Sequence, residues 1–313
     1  MKSRVFHDHD FSASICVLLG ASLIFDRRAA RKLILYCLPI GLLGFSFTAW
    51  YVGGQLIAPS KGTVGPIPRG LTGESVSFLT ASGLNVQGWH FEGRDSAATV
   101  LLLHSIRSDR RSMLPRARLL IEAGYSTLLV DLPGHGESDG DVITSGWRES
   151  DAVTAAVDYI KMKSPTQKVA IVGRSLGGAA ALFASPLEID ALVLESVYPT
   201  ITDAIHNRVA MRVGPLHHIV APALTLQLYP RLGVSASQIS PIEYISKVNC
   251  PVLVVAGDRD LHTTLEETSR LCESAKQPRE MFVFEGAAHV DFCRFDQELY
   301  RKHVLSFVDQ QLK

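Results

Sequence analysis

An excess of charge of either sign is missing from this chain: 31 Lys and Arg are matched by 31 Asp and Glu, so the formal net charge is zero. With no basic excess to neutralise phosphates, nucleic acid is excluded as an expected partner. Cysteine is scarce and unpatterned. Cys16, Cys37, Cys250, Cys272 and Cys293 form no CxxC pair and no metal-ligand spacing. Cys16 and Cys37 lie in apolar stretches as buried bystanders. The other three are an odd number, so any disulfide among them leaves a free thiol. No internal repeat or low-complexity tract is visible. Charged residues make up only 20% of the chain against 47% apolar, which excludes global disorder and allows a sizeable core. The 313 residues suffice for one large α/β domain or two small ones.

What the chain does have is a long apolar run. Residues 33–52, LILYCLPIGLLGFSFTAWYV, carry no charge. As a helix they would measure roughly 30 Å, the thickness of a bilayer core. Pro39 and the glycines are tolerable in such a helix, and Trp50 and Tyr51 stand where an interfacial aromatic belt would lie. Two other readings compete: a cleaved signal peptide, although the run exceeds a usual apolar core and no small-x-small site follows, and a soluble core helix, although no polar face recurs at helical spacing. Residues 11–25 form a second, shorter apolar run. Arg27, Arg28, Arg31 and Lys32 lie between the two, and the positive-inside rule puts that loop in the cytoplasm. The expectation is a membrane protein with a single pass, or two short spans, and everything after the run on the non-cytoplasmic side.

The expected organisation is a basic N-terminal segment over 1–32, a membrane helix over 33–58, a Gly-, Pro- and Ser-rich linker over 59–73, and one domain over 74–313. Within that domain ESVSFL and LNVQGWHF suggest an opening hairpin. TVLLL, YSTLLV, KVAIV, ALVLE, VLVVA and MFVF follow as nearly all-apolar runs, the pattern of strands buried on both faces. Helical spacing is expected over 113–123, 149–160, 176–184, 265–274 and 295–312, with Val153, Val157 and Ile160 as its clearest instance. Such alternation predicts an α/β fold: a mainly parallel sheet with helices on both faces. Residues 198–240 break it, with no strand and two helices expected over 201–213 and 216–232. They read as a short helical cap over the sheet's C-terminal edge, with ordinary packing helices as the alternative.

Gly173-Arg174-Ser175-Leu176-Gly177 is G-x-S-x-G between a buried strand and a helical run. A nucleophile on a sharp strand-to-helix turn sits in a strained backbone, and its neighbours two residues away must approach closely, which is why they are glycine. The turn projects the Ser175 hydroxyl and leaves the Leu176 N–H at a helix N-terminus, free to meet an oxyanion. Serine alone is a poor nucleophile, so a base and an orienting acid must follow. Gly257-Asp258-Arg259-Asp260 follows VLVVA, and Glu285-Gly286-Ala287-Ala288-His289 follows MFVF. Both loops lie at C-terminal strand ends, where sites in open α/β sheets gather. His289 would be the general base and Asp260 its partner, with Asp258 capping the turn. His262 is the rival base. His7 and His9 precede the apolar run, His217 and His218 lie in the cap without ligand spacing, and His135 sits in a Gly-rich turn with a shaping role.

From residue 74 onward the chain resembles the alpha/beta-hydrolase superfamily, most nearly its lysophospholipase-like and serine-peptidase-like branch with short caps. Beyond the elbow, the shared features are His104 after the third strand and Asp131-Leu132-Pro133-Gly134-His135-Gly136-Glu137-Ser138 after the fourth, with the Asp260 and His289 loops. The resemblance favours Asp260, three residues past the glycine that ends its strand. It implies Ile106, two residues after His104, as the second oxyanion donor. One departure stands out: relatives carry His-Gly where this chain has His104-Ser105, so Ser105 must accept whatever angles the glycine supplies.

The resulting expectation is a serine hydrolase cleaving carboxylic esters, with thioesters and amides as the wider class, through an acyl-Ser175 intermediate. No metal or organic cofactor is implied, and the partners are a small acyl ester, with lipid-derived esters among the candidates, and the membrane. Two alternatives stay open: a non-catalytic hydrolase-fold binding or scaffolding protein, and an acyltransferase using the same three residues.

Overall fold

The computed structural model describes residues 27–94 and 98–313. The short apolar run at 11–25, with Cys16, His7 and His9, lies outside the described residues. Compactness divides the chain into Met1–Thr48 and Ala49–Lys313. In the first unit the described residues belong to helix α1, Arg27–Ile57, whose last nine residues fall in the second. Its Leu35–Ile57 stretch, of mean hydropathy 1.5, is long and apolar enough to cross a membrane, a test that a signal sequence also passes. Leu38, Ile40, Leu43 and Phe47 are exposed, so no core among the described residues covers them.

The second unit is built on an eight-stranded sheet. Its strands are β2 (Glu74–Leu79), β3 (Asn85–Phe91), β4 (Ala98–Leu103), β5 (Ser126–Val130), β7 (Lys168–Arg174), β8 (Ala191–Glu195), β9 (Val252–Gly257) and β10 (Arg279–Phe284). They lie in the order β10-β9-β8-β7-β4-β5-β3-β2. All neighbours from β10 to β5 are parallel, and the β2–β3 hairpin closes one edge antiparallel. The eight expected runs are the eight strands, to within a residue or two at their ends.

The apolar strands are explained by two clusters, one on each face. Along β4, Leu101 and Leu103 join one cluster while Val100 and Leu102 join the other, as the two-residue period of a strand requires. Helices α3 (Ser150–Lys163), α4 (Leu176–Phe183) and α9 (Leu265–Glu273) cover the first face, and Val153, Val157 and Ile160 of α3 are buried there as a stripe. Helix α2 (Leu114–Glu122) and the C-terminal helices cover the second.

Three segments differ from expectation. The helix expected over 216–232 is two, α6 (His217–Thr225) and α7 (Leu228–Leu232). Pro230 supplies no N–H to the Leu226 carbonyl four residues back, and its ring crowds that carbonyl, so the helix breaks just beyond Leu226. The helix expected over 295–312 is interrupted. Asp296 is extended and caps Gln297–Tyr300 by accepting the Leu299 N–H, and a π-turn at Arg301–Leu305 precedes Ser306–Leu312. Residues 59–73, expected as a linker, are sewn to the domain. Ser60–Lys61 (β1) pairs in parallel with His135–Gly136 (β6), and Glu137 accepts the Val64 and Gly65 N–H groups. Glycine and proline content marked an irregular path there, but irregular backbone can still be fully hydrogen-bonded.

Candidate active site

Strand β7 ends at Arg174 and α4 begins at Leu176, leaving Ser175 as the whole turn. Its backbone has φ 50° and ψ −112°, a conformation that costs an L residue roughly 1–3 kcal/mol. The Ser175 N–H donates to the Glu195 carbonyl at 2.8 Å, which fixes the turn against β8. A Cβ on Gly173 would lie 2.6 Å from the Gly178 Cα, and one on Gly177 would lie 2.6 Å from the Leu103 carbonyl oxygen. Only glycine lets the helix start so close to the strands. Leu176 opens the helix, so its N–H has no intrahelical acceptor. Ser175 is 2% exposed and its hydroxyl has no hydrogen-bond partner among the described residues.

Asp260 and His289 are brought together. His289 Nδ1 donates to Asp260 Oδ2 at 2.7 Å, while Asp260 Oδ1 accepts the N–H groups of His262 at 2.8 Å and Thr263 at 3.0 Å. Burial works against the Asp260 charge, but the His289 hydrogen bond and those backbone donors outweigh it and hold the carboxyl below its ordinary value. With Nδ1 committed to a carboxylate, the unprotonated nitrogen of a neutral His289 is Nε2. Asp258 is exposed and its Oδ1 accepts the Gly286 N–H at 2.6 Å, so it ties down the loop that carries His289. The His262 ring stands 4.9 Å from that of His289, and burial pushes its pKa down. Asp260, His262 and His289 bring ligand atoms within 4.8 Å of one another, but a cation there would have to displace the proton between His289 and Asp260.

The loop after β4 is held by a histidine. The Leu132 N–H donates to His104 Nε2 at 3.0 Å, so the proton sits on Nδ1, which donates to the Ser105 carbonyl at 2.8 Å. Burial pushes the His104 pKa down to about 4, keeping this tautomer neutral. Ser105 does not have to take a left-handed backbone: the residue with positive φ in this loop is Arg107, at 55°. His135 is buried with its ring 5.0 Å from that of His104 and its Nδ1 3.0 Å from the Pro133 carbonyl, which fits a shaping role.

Ser175, Leu176 and Ile106 meet on the wall of one open cleft of about 820 Å³, counted to its mouth. Helices α5 (Ile201–Val213), α6 and α7 supply the opposite wall through Ile201, Ile205, Leu224 and Leu228. Asp260 and His289 do not line it. Its only charged lining groups are Arg208 and Arg231, and neither pairs with a carboxylate among the described residues. Tyr198 also lines the cleft, and its hydroxyl donates to the carbonyl of Ser145, another lining residue. Behind Ser175, Glu195 is fully buried, bidentate with Arg116 and hydrogen-bonded by Tyr300 at 2.6 Å.

Sequence reasoning missed Tyr198, Ser145 and the Arg116–Glu195 pair, whose partners are distant in the chain. It also missed Gly53, Leu56 and Ile57, which line the cleft from the end of α1. The Gly53-Gly54 pair closing an apolar run was the one trace of close packing there.

Known proteins are similar to this chain over most of its length. A profile of the alpha/beta hydrolase family matches residues 100–298. The uncharacterised protein Rv2307c of Mycobacterium tuberculosis is 30% identical over 240 residues, covering 73% of this chain and 78% of that protein. The solved structure of the esterase Pf2001 of Pyrococcus furiosus is similar with a TM-score of 0.69 and 21% identity, over 82% of this chain and 99% of that one. The polyketide transferase GrgF of a Penicillium species is 23% identical over 299 residues, 80% of this chain and 99% of its own, and its structure aligns with a TM-score of 0.61.

Proposed function

This chain belongs to the alpha/beta hydrolase family, and on that premise we propose that it is a serine hydrolase that cleaves carboxylic esters through an acyl-Ser175 intermediate. The observation that carries the reading is the left-handed backbone of Ser175 at the head of α4, between glycines no other residue could replace. A fold bears that strain where a side chain must be presented, and the hydroxyl presented is the nucleophile.

The chemistry follows from the hydrogen bonds. Asp260 accepts the Nδ1 proton of His289, which leaves the Nε2 lone pair to take the Ser175 proton as Oγ attacks the ester carbonyl. The imidazolium so formed is stabilised by the Asp260 carboxylate and returns its proton to the departing alkoxide. The carbonyl oxygen, now an anion, is met by the N–H groups of Leu176 and Ile106, the first reinforced by the N-terminus of α4. Water attacks the acyl-enzyme by the same steps in reverse. The hydroxyl and imidazole are not hydrogen-bonded in the resting structure, and such contacts tighten when substrate fills the cleft. Thioesters and amides fit the same steps.

A second reading, transfer of the acyl group to an alcohol instead of water, draws on the likeness of this chain to a polyketide transferase over 99% of that protein's length. It needs the same three residues.

Residues 74–313 form the hydrolase domain in this reading, and residues 33–58 anchor it. The anchor passes the membrane once, with Arg27, Arg28, Arg31 and Lys32 in the cytoplasm and the domain opposite, close to lipid-derived esters. A reporter active only in the cytoplasm, fused at Lys313, should be silent, and its activity would overturn this topology. For the chemistry, a fluorophosphonate probe should label the protein in membranes, and Ser175→Ala should abolish labelling while leaving thermal unfolding unchanged. Labelling that persists on another serine would falsify the assignment.

A further inference from the structure

The last two turns of α1 are joined to the cleft by contacts that an anchor alone does not require. The final carbonyls of a helix have no intrahelical donors. Here Arg107 donates to those of Gln55 and Leu56, and the Ile143 N–H donates to that of Ile57 at 2.8 Å. Arg107 is the left-handed residue directly after Ile106, so the loop bearing the second oxyanion donor grips the end of α1.

The cap grips the same turns. Gln227 Nε2 donates to the Ala49 carbonyl at 3.0 Å, and Arg231 lies over the Trp50 ring at 3.8 Å while donating to the Trp50 carbonyl. At Gly53 the Gln227 side chain lies against the α1 backbone, since a Cβ there would come within 2.2 Å of Gln227 Oε1. Gly53, Leu56 and Ile57 thereby face the cleft together with Leu224, Leu228 and Ser175. Leu56 is 40% exposed although it lines the cleft, which puts it at the rim.

We propose that the end of α1 is a specificity-determining wall of the substrate site, with Leu56 and Ile57 packing against the linear acyl chain of the ester. This rests on the esterase reading. Its chemical basis is the make-up of the lining, which is mostly aliphatic, with Leu56 and Ile57 of α1 beside Ile106, Ile201, Leu224 and Leu228. Each methylene withdrawn from water is worth about fourfold in kcat/KM. Blocking the rim should therefore remove that gain for the outer methylenes only.

The test uses the full chain in detergent micelles with p-nitrophenyl esters from butyrate to decanoate, below their micelle-forming concentrations. Leu56→Trp should lower the decanoate-to-butyrate ratio of kcat/KM at least tenfold. Leu56→Ala, which adds no bulk, should lower it only a few-fold. Leu42→Trp, on the same helix but not among the residues that line the cleft, should leave the ratio unchanged. A second arm needs no turnover: displacement of a fluorescent fatty acid from the Ser175→Ala protein should show at least fivefold weaker binding of decanoic acid when Leu56→Trp is added. Equal losses at all chain lengths, or the same ratio shift from Leu42→Trp, would overturn the proposal. If no ester is cleaved but the binding difference appears, the hydrolytic reading fails and the acyl wall stands.

Discussion

Replacing Asp260 by Asn isolates the hydrogen bond on which the proposed base depends. Asp260 uses its two oxygens for different tasks: Oδ1 accepts two backbone N–H groups and Oδ2 accepts His289 Nδ1–H. Asparagine can keep its carbonyl oxygen on the backbone donors, so the loop should hold its shape. Its NH2 then faces His289 Nδ1, which must become the acceptor, and the ring proton moves to Nε2. A neutral histidine of that tautomer cannot take a proton from Ser175. Misdirected tautomers in such triads cost about 10⁴ in kcat, or roughly 5.4 kcal/mol at 1.36 kcal/mol per decade. Asp258→Asn is the internal control. Its oxygen accepts only the Gly286 N–H at an exposed site, and an amide oxygen accepts equally well, so the cost there should be below tenfold. The assay is the initial rate on p-nitrophenyl butyrate, with thermal unfolding followed on the same samples. The reasoning fails if Asp260→Asn retains more than a tenth of the activity while folded, or if Asp258→Asn is the more damaging change.

Stability should follow the same carboxylate. Because the native Asp260 pKa lies below its ordinary value, the group stabilises the fold above the unfolded pKa, and that contribution is lost as pH falls through the lowered native value. The gap in unfolding temperature between the unaltered protein and Asp260→Asn, present at pH 7, should therefore narrow below about pH 4. Arg116→Ala should destabilise the domain by about 3–5 kcal/mol, since it leaves the fully buried Glu195 without its cation; a urea-unfolding change under 1 kcal/mol would contradict this. Gly177→Ala should lose fluorophosphonate labelling, because its Cβ would press on the Leu103 and His104 carbonyls at the elbow. Full labelling would show that the turn has more room than its contacts imply.

The parts of this protein that were legible in its sequence are those whose cause is local. Six apolar runs became strands, five of them buried nearly throughout, because a strand buried on both faces has few other compositions open to it. Glycines at 173 and 177 announced the elbow because contacts at 2.6 Å admit nothing larger. The Asp260 and His289 loops could be nominated from their places after strands, although only the fold put Nδ1 and Oδ2 at 2.7 Å. Interactions between distant segments left no comparable trace. Arg116 and Glu195 lie 79 residues apart, and each alone reads as an ordinary charged residue at the edge of an element. The loop at His104-Ser105 makes the same point in reverse. A missing glycine suggested strain at Ser105, yet the left-handed residue is Arg107, and the His104 ring holds the Ser105 carbonyl.

At α1 composition alone does not tell two roles apart, because a lipid-facing helix and a helix facing an acyl chain are apolar for the same reason. Hydropathy averages over both faces and cannot separate them. What separates them is the polar hardware at the helix end. A helix that serves only as an anchor has no need for an arginine from a loop beside Ser175 on its terminal carbonyls, nor for a glutamine from the cap on the Ala49 carbonyl. Those contacts order backbone and side chains at an entropic cost that a flexible tether does not carry. They are intelligible if the acyl chain, the oxyanion loop and the end of α1 must keep one geometry.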